Sequence, residues 1–186
     1  IKVFWEDDSV VAFVKPQGVA TMNEHSSLLK SDALLLSAAD AARSDVKKAI
    51  PAHRLDKETG GLILCSKTKA VDSFLKKQFR DRRVNKRYMA VLSGRLEPVA
   101  GVIDLPLSGQ QCSTRYEVLQ HSPSGQYGWL TTVNLWPVTG RMHQLRRHTQ
   151  LVGHHIIGER RYASAGDGST SGLLYLWAVE ISFPHP

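Results

Sequence analysis

Asp56 is the residue of this chain whose type and neighbours best suit a reacting group. It lies in the segment His53-Arg54-Leu55-Asp56-Lys57-Glu58-Thr59-Gly60-Gly61, directly before the apolar run 62–65. Polar residues that pack against a buried strand usually belong to a site rather than to the fold. The segment therefore predicts a catalytic carboxylate at Asp56. The alternative is that Asp56 caps a turn or a helix, as aspartate commonly does.

A second segment supplies the cations that an isolated carboxylate needs nearby. Residues 140–148 have the sequence Gly-Arg-Met-His-Gln-Leu-Arg-Arg-His. An opposite charge close to a carboxylate favours its ionised form. Together, the two segments make a catalytic interpretation stronger than either segment does alone.

The composition fits one folded domain, or one domain of two closely packed halves. The chain has 186 residues, of which 42% are hydrophobic,. No apolar run approaches the roughly 18 residues of a membrane span, so we expect no membrane contact. Cys65 and Cys112 are too few for a disulfide framework or a zinc knuckle, which favours a reducing compartment,. We expect Cys65, within its apolar run, to be a small buried hydrophobe.

Positive charge is clustered along the chain. The net charge is +7, with 24 lysines and arginines against 17 acids. Clustered arginine favours phosphate contacts because the guanidinium fork matches phosphate oxygens, so we expect an RNA or DNA partner. The alternative is a solvated basic face. The two clusters are Arg80, Arg82, Arg83, Lys86 and Arg87, and Arg141, Arg146, Arg147, Arg160 and Arg161.

The elements that must position these residues occur as runs of strands with few helices. Apolar patterns predict strands at 1–5, 10–14, 62–66, 88–94, 102–107, 114–119, 130–137 and 173–183,. Helices are predicted at 32–43 with Ser31 as cap, after a Thr68 cap, and at 139–151, with loops at 21–31 and 164–171,. Because the strands occur in runs, the predicted class is α+β, with a mixed, mostly antiparallel central sheet flanked by helices and loops.

These motifs together resemble the RluA-type RNA pseudouridine synthases over nearly the whole chain. Residues 53–56 with Thr59 and Gly61 resemble the catalytic motif of that family, residues 86–91 with Gly94 its tyrosine strand, and residues 140–146 with His148 its basic helix. The resemblance implies the pseudouridine synthase fold, with a catalytic cleft in a single domain of residues 1–186 and no separate accessory RNA-binding domain. Further matches, in the order of the family, are Glu6-Asp7, Lys15-Pro16, Gly18, Gly153-His154, Gly158, Tyr162 and residues 183–186.

Four positions depart from the family pattern. Gly60 stands where the family usually has Ser, His155 where it has Pro, Glu159 where it has Asp, and Trp177 where it has His. None of them is the reacting carboxylate, so the resemblance still implies activity. The departures indicate a divergent member whose subfamily and target uridine the sequence leaves open.

The resemblance implies the isomerisation of a uridine in RNA to pseudouridine, with the target base flipped out of its stack. Asp56 is then the reacting group, and attack on the ribose, addition to the base and abstraction of a sugar proton all remain open as its role. Arg146 is the expected counter-charge that keeps Asp56 ionised. Tyr88 is expected to stack on the uracil and to help proton transfer at carbon 5; the alternative is an ordinary core tyrosine.

The remaining predicted site residues bind rather than react. Arg54 and Arg141 are expected to contact RNA phosphate, with a structural salt bridge as the alternative for each. His53 is expected to order the catalytic loop by hydrogen bonding, and Leu145, with Ile63, to wall the pocket. The resemblance also places three further residues among those that bind RNA or substrate: Thr59, Lys86 and His143.

We expect no cofactor, because the isomerisation changes neither redox state nor composition. A metal site on the histidines is not expected, since no His-Glu-x-x-His pattern exists and neighbouring arginines would repel a dication. The rival function is a catalytically silent RNA-binding module on the same scaffold. A metal-dependent nuclease is not expected, because the sequence lacks the carboxylate cluster that two-metal chemistry needs. We expect a monomer that acts on tRNA or rRNA. Its expected location is the cytoplasm by default, or an organelle if a targeting segment was removed.

Overall fold

The computed structural model describes residues 2–23, 26–27, 49–163 and 172–186, which fall into two compact units. The first unit comprises Ile1–Asn85 and Glu180–Pro186, and the second comprises Lys86–Val179. The last strand, β11 (Leu176–Ser182), continues from the second unit into the first.

The first unit is built on an antiparallel sheet whose strands β2 and β6 are buried on both faces. Its strands are β1 (Lys2–Glu6), β2 (Val10–Lys15), β5 (Ile50–Pro51) and β6 (Gly60–Ser66), with β2 between β1 and β6. Val11, Phe13, Ile63 and Cys65 pack together in one cluster, and Val10 and Leu64 pack in another. This burial on both faces explains the near-continuous apolar runs of β2 and β6. Between β2 and β5 in the sequence, the two short strands β3 (Met22–Asn23) and β4 (Ser26–Ser27) pair with each other in a separate sheet.

Helix α1 (Lys69–Arg80) packs beside this sheet through one apolar face. Thr68 caps its start, as predicted, because its hydroxyl accepts the Val71 N–H at 3.3 Å,. Leu75 is fully buried, with Phe74 and Phe79 packed against the same cluster. The opposite face carries the charged residues.

The end of α1 has the hydrogen bonds of a Schellman motif. The Arg83 N–H donates to the Gln78 carbonyl at 3.0 Å, and the Arg82 N–H donates to the Phe79 carbonyl at 3.2 Å,. Arg82 has a φ of 57°, the left-handed conformation for which glycine is usual. An L-residue pays roughly 1–2 kcal/mol for this conformation, so Arg82 occupies an unfavourable backbone position.

The second unit contains a four-stranded antiparallel sheet and one helix. The strands are β7 (Asn85–Ser93), β8 (Ala100–Asp104), β9 (Ser113–Ser124) and β10 (Gly128–Pro137), in the order β7-β10-β9-β8. Helix α2 (Gln144–Leu151) follows β10. In the register of β7 with β10, Tyr88 lies opposite Leu135 and Ser93 opposite Leu130.

The α+β class and the mostly antiparallel sheet are confirmed, whereas one helix boundary was wrong. The helix predicted at 139–151 begins only at Gln144, because His143 has a φ of 53° and residues 141–143 form a turn. The strand predicted at 102–107 ends at Asp104. The predicted helix 32–43 with its Ser31 cap and the predicted loop 164–171 lie outside the described residues, as do residues 24, 25 and 28–31 of the predicted loop 21–31. The loop prediction was wrong at residues 22–23 and 26–27, which form β3 and β4. Within the described part, no helix is long and apolar enough to cross a membrane.

Candidate active site

The residues predicted to form the site are distributed over both units. His53, Arg54, Asp56 and Thr59 belong to the first, in the segment between β5 and β6. The second carries Lys86 and Tyr88 on β7, Arg141 and His143 in the turn before α2, and Leu145 and Arg146 on α2.

His53 anchors the start of the Asp56 loop to strand β6. Its Nε2 accepts the backbone N–H of Leu64 at 3.0 Å, and its ring lies 5.0 Å from the ring of Phe79 on α1. This hydrogen bond supports the ordering role expected of His53, which stays a prediction.

The backbone on the N-terminal side of Asp56 is held by Thr21. The Leu55 N–H donates to Thr21 Oγ1 at 3.0 Å, and the Thr21 hydroxyl donates to the Leu55 carbonyl at 3.0 Å. Both residues are buried, so these two bonds are sheltered from water,. The Thr59 N–H then donates to the Asp56 carbonyl at 3.1 Å and closes a turn. Asp56 itself is half-buried.

Lys15 holds the C-terminal side of the same loop. This fully buried lysine donates from Nζ to the carbonyls of Pro16 at 2.9 Å, Val19 at 2.7 Å and Lys57 at 3.3 Å. The Gly18 N–H also donates to the Lys57 carbonyl, at 2.9 Å. Burial lowers the pKa of Lys15 to about 8, against the opposing effect of the Asp56 and Glu58 carboxylates. The loop therefore has a buried amine whose charge its own carboxylates favour.

The other predicted residues of this loop differ in burial. Arg54 is exposed and Thr59 is buried. An exposed guanidinium is available to a phosphate, whereas a buried threonine beside the turn has a packing role as well.

In the second unit, Gln144 fixes the turn that carries Arg141. Its Oε1 accepts from the Thr139 hydroxyl at 2.6 Å and from the Arg141 N–H at 3.1 Å. Its Nε2 donates to the Ser113 carbonyl at 2.9 Å and to Thr114 Oγ1 at 3.0 Å. The buried amide thus ties the turn to β9 and leaves the Arg141 side chain exposed.

Arg146 is held in a buried, bidentate ion pair with Glu159. Nε lies 2.6 Å from Oε2 and Nη2 lies 2.8 Å from Oε1, and both side chains are almost fully buried. Glu159 Oε1 also accepts the backbone N–H groups of Arg161 at 2.7 Å and Tyr162 at 3.3 Å. Burial would raise the pKa of Glu159, but these hydrogen bonds and the Arg146 charge lower it overall. Pairing of Arg146 with Asp56 joins the two units and stays a prediction.

Tyr162 links this ion pair to the turn before α2. The Arg146 guanidinium carbon lies 5.6 Å from the centre of the Tyr162 ring. The Tyr162 hydroxyl lies 2.7 Å from His143 Nδ1. His143, Arg146, Glu159 and Tyr162 therefore form one network, in which His143 adopts a strained left-handed backbone,.

Tyr88, Lys86 and Leu145 lie inward. Tyr88 and Leu145 are buried, at 8% and 6% exposure, and Lys86 is half-buried, with its pKa lowered by burial. A buried tyrosine agrees with either of its two interpretations, stacking partner or core residue, so its role stays a prediction.

His148 is a structural histidine. Its Nδ1 lies 2.9 Å from Thr114 Oγ1 and its Nε2 lies 3.0 Å from the Leu105 carbonyl. Burial lowers its pKa, with the Arg147 charge acting in the same direction and a bond to Leu105 and the Asp104 charge opposing it. Both ring nitrogens are thus committed to the fold. Among the described residues, no three His, Cys, Asp or Glu side chains group as metal ligands.

Sequence reasoning missed the positioning roles of Lys15, Thr21, Gln144 and Glu159. Lys15 lies in the Lys15-Pro16-x-Gly18 signature, and Gln144 and Glu159 lie in or beside motifs that the sequence singled out. Thr21 had no signal, because its contact with Leu55 spans 34 residues.

Comparison with known proteins gives matches over most of the chain. The sequence model of the family described as RNA pseudouridylate synthase matches residues 9–151. The dual-specificity RNA pseudouridine synthase RluA of Pasteurella multocida is 40% identical over 79% of this chain and 74% of its own length. The protein of the same name from Vibrio vulnificus is 34% identical over 100% of this chain and 78% of its own length.

Solved structures agree on the fold. Human RNA pseudouridylate synthase domain containing 1 superposes with a TM-score of 0.79 over 98% of this chain and 78% of its own, at 22% identity. Human RNA pseudouridylate synthase domain containing 4 superposes with a TM-score of 0.75 over 98% and 84%, at 23% identity. At these identities the likeness concerns the architecture alone.

Proposed function

The chain belongs to the RNA pseudouridylate synthase family, as an enzyme of the RluA type, and we propose that it isomerises uridines of tRNA or rRNA to pseudouridine with Asp56 as the reacting group. In this reaction the bond from the ribose to uracil N1 breaks, the base turns, and C5 bonds to the same ribose carbon. C5 loses a proton and N1 carries one in the product, so atoms balance without a redox partner. The relatives at 34–40% identity are named dual-specificity enzymes, which supports more than one RNA substrate for this chain.

The observation that carries the proposal is the way in which the Asp56 loop is held. Thr21 binds the backbone of Leu55, and Lys15 and Gly18 bind the carbonyl of Lys57. These contacts fix the backbone on both sides of a half-buried carboxylate. A carboxylate held in this way suits a reacting group, because little reorganisation is left for the reaction itself.

Arg146 and Tyr88 have the proposed supporting roles. Glu159 engages Nε and Nη2 of Arg146, and the remaining guanidinium nitrogen is the proposed donor to the Asp56 carboxylate. A guanidinium fixed by a buried carboxylate presents its charge in one orientation. Tyr88 is proposed to stack on the uracil, a contact worth about 1–3 kcal/mol. Arg54, Arg141, His143, Lys86, Thr59 and Leu145 complete the proposed RNA-binding set.

The target uridine has to leave its stack to reach a half-buried carboxylate. Flipping costs a few kcal/mol, which contacts with the flanking phosphates offset. Exposed cations beside the site, Arg54 and Arg141 among them, are suited to these contacts,. We propose a monomer that acts in the cytoplasm.

Asp56→Asn tests the proposal, with Glu58→Gln as its matched control two residues further along the same loop. We expect Asp56→Asn to form no pseudouridine in tRNA or rRNA, because an amide cannot act as a nucleophile or a base. Glu58 is exposed, so its variant should give the wild-type pattern. The measurement is a site-by-site map of pseudouridine in total RNA, together with RNA affinity. Equal maps for wild type and Asp56→Asn, with RNA binding intact, would instead favour the silent RNA-binding module.

A further inference from the structure

The fold regroups the basic residues that are neighbours in sequence around residue 80. Lys86 is half-buried, and Arg87 donates to Asn134 Oδ1 at 3.1 Å, so both belong to the interior of the second unit. The arginines before them stay in the first unit and join the exposed lysines of α1. The resulting surface, the α1 basic surface, consists of Lys69, Lys76, Lys77, Arg80, Arg82 and Arg83, all exposed.

The helix geometry aligns these cations along the face opposite the core. Lys69, Ser73, Lys76 and Arg80 follow at spacings of four, three and four residues, which places them on one side of α1,. Leu75 lies on the other side and is fully buried. The row is about 16 Å long at 1.5 Å per residue, and Arg82 and Arg83 extend it past the end of the helix.

The α1 basic surface concentrates the positive charge of the chain. Between residues 69 and 83, six cations are accompanied by two carboxylates, a net charge of +4 out of +7 for the whole chain. Asp72 pairs with Lys76 at 2.7 Å, and Asp81 lies 3.9 Å from Arg80. In the described part of the chain, the side chains of Lys69, Lys77, Arg82 and Arg83 have no ion-pair or hydrogen-bond partner. Like charges held together without partners repel each other, which a polyanion relieves.

The backbone at Arg82 favours a binding role over a structural one. The left-handed position after α1 is the one that glycine stabilises, yet an arginine occupies it,. Its next neighbour is a second exposed arginine, where such motifs often have an apolar contact,. Glycine at position 82 would thus stabilise the fold more than arginine does. The end of α1 instead exposes two guanidinium groups to solvent.

The helix that carries the α1 basic surface contacts the Asp56 loop from its core-facing side, within the same unit. Phe79 is adjacent to Arg80 on α1, and its ring lies 5.0 Å from the ring of His53. His53 is three residues before Asp56 and is bonded to β6. RNA held by α1 would therefore be bound by the same unit that carries the reacting carboxylate.

We propose that the α1 basic surface binds the phosphate backbone of the RNA substrate outside the catalytic pocket, an inference that rests on the proposed function. Arginine forks and lysines contact phosphate oxygens whatever the base, so this surface adds affinity and orientation without sequence selection. It explains how a divergent loop sequence can retain substrate affinity: the contacts are made away from the reacting uridine.

The test compares Arg82→Gly/Arg83→Ser with Lys2→Ser/Arg95→Ser, a control that removes two exposed cations elsewhere. The probe is an unmodified tRNA transcript, with affinity measured by fluorescence anisotropy over a range of salt concentrations. We expect the dissociation constant of the test variant to rise about tenfold. The slope of the logarithm of the affinity against the logarithm of the salt concentration should become smaller by about 1.4–1.8, because two phosphate contacts are lost at about 0.7–0.9 each. The control should change either quantity by less than half as much. The KM should rise while kcat stays within about twofold, because no reacting group is altered.

Arg82→Gly alone separates binding from folding. Glycine suits the left-handed position, so this variant should melt at or above the wild-type temperature and still bind the transcript more weakly. Unchanged affinity and salt slope, or losses equal to those of the control, would overturn the proposal. If the double variant does not fold, Lys69→Ser/Lys77→Ser on the solvent face of α1 takes its place with the same expected results. A wild-type protein that makes no pseudouridine but binds RNA through α1 would refute the proposed function and leave this surface standing.

Discussion

The Asp56 loop of the first unit and the Arg146 side chain of the second differ in what holds the functional group. Around Asp56 the contacts are made to the backbone of its neighbours, by Thr21 and by Lys15. Arg146 is held through its own guanidinium, in a bidentate pair with Glu159. The Asp56 loop is thus supported through the backbone on either side of the carboxylate, whereas the Arg146 cation is held through two nitrogens of its own side chain.

This difference follows from the chemistry that each group is proposed to perform. Support from the chain on either side positions a reacting carboxylate through contacts that the reaction does not have to break. A counter-charge has only to remain charged and in place, and arginine retains its charge even when buried. The comparison therefore predicts that removing supports should affect the two sites differently.

The largest effect is expected from Glu159→Gln, which leaves a buried guanidinium without its counter-charge. Breaking such a pair costs roughly 3–5 kcal/mol, so the free energy of unfolding should fall by about this amount. Glu159→Asp keeps the charge on a side chain one carbon shorter, and should lose less. Urea unfolding of both variants measures the difference. Equal stability of wild type and Glu159→Gln would mean that Arg146 does not depend on Glu159.

The sequence could single out the Asp56 segment because its residues are adjacent, whereas the roles of Asp56 and His53 stay predictions. The longer strands were predictable, with errors of a few residues at their ends, because a buried strand face has an apolar pattern in the sequence. The two-residue strands β3, β4 and β5 are too short for such a pattern and were not predicted. The residues that hold the Asp56 loop were not predictable from the sequence, because their contacts join distant parts of the chain. Thr21 binds Leu55 across 34 residues, and Lys15 binds Lys57 across 42. Such contacts depend on how β2 and β6 pair, which local propensity does not specify.

At the start of α2, by contrast, a local pattern in the sequence predicted the wrong structure. Met142, Leu145 and Val152 lie at helical spacing, which predicted a helix that begins near Thr139,. The buried amide of Gln144 instead bonds to Thr139 and to the Arg141 N–H and stabilises a turn. Side-chain bonds to the backbone here override local helix propensity.

A second, smaller effect is expected in the pH dependence of stability from Lys15→Met. Burial lowers the folded-state pKa of Lys15 from 10.5 to about 8, so between these values the unfolded chain binds the extra proton. Raising the pH from 8 to 10.5 should therefore stabilise the wild type relative to Lys15→Met, by up to about 3 kcal/mol at 1.36 kcal/mol per pKa unit. The gain should disappear as the pH falls to 8. Parallel stability curves for the two proteins would show that the amine is not perturbed by burial.

The smallest effect on stability, and the sharpest test of the comparison, is expected from Thr21→Val. Valine has nearly the same shape but leaves the buried N–H and carbonyl of Leu55 without the Thr21 hydroxyl, at a cost of about 1–3 kcal/mol,. Because the loop carries the proposed reacting carboxylate, kcat should fall more than global stability indicates, by as much as about a hundredfold if the carboxylate shifts by 1 Å. Thr21→Ser keeps the hydroxyl and should restore most of the rate. A Thr21→Val variant that lost stability but kept the wild-type kcat would contradict this. The contact of Thr21 with Leu55 would then stabilise the fold without positioning Asp56, and the Asp56 loop and Arg146 would differ only in burial.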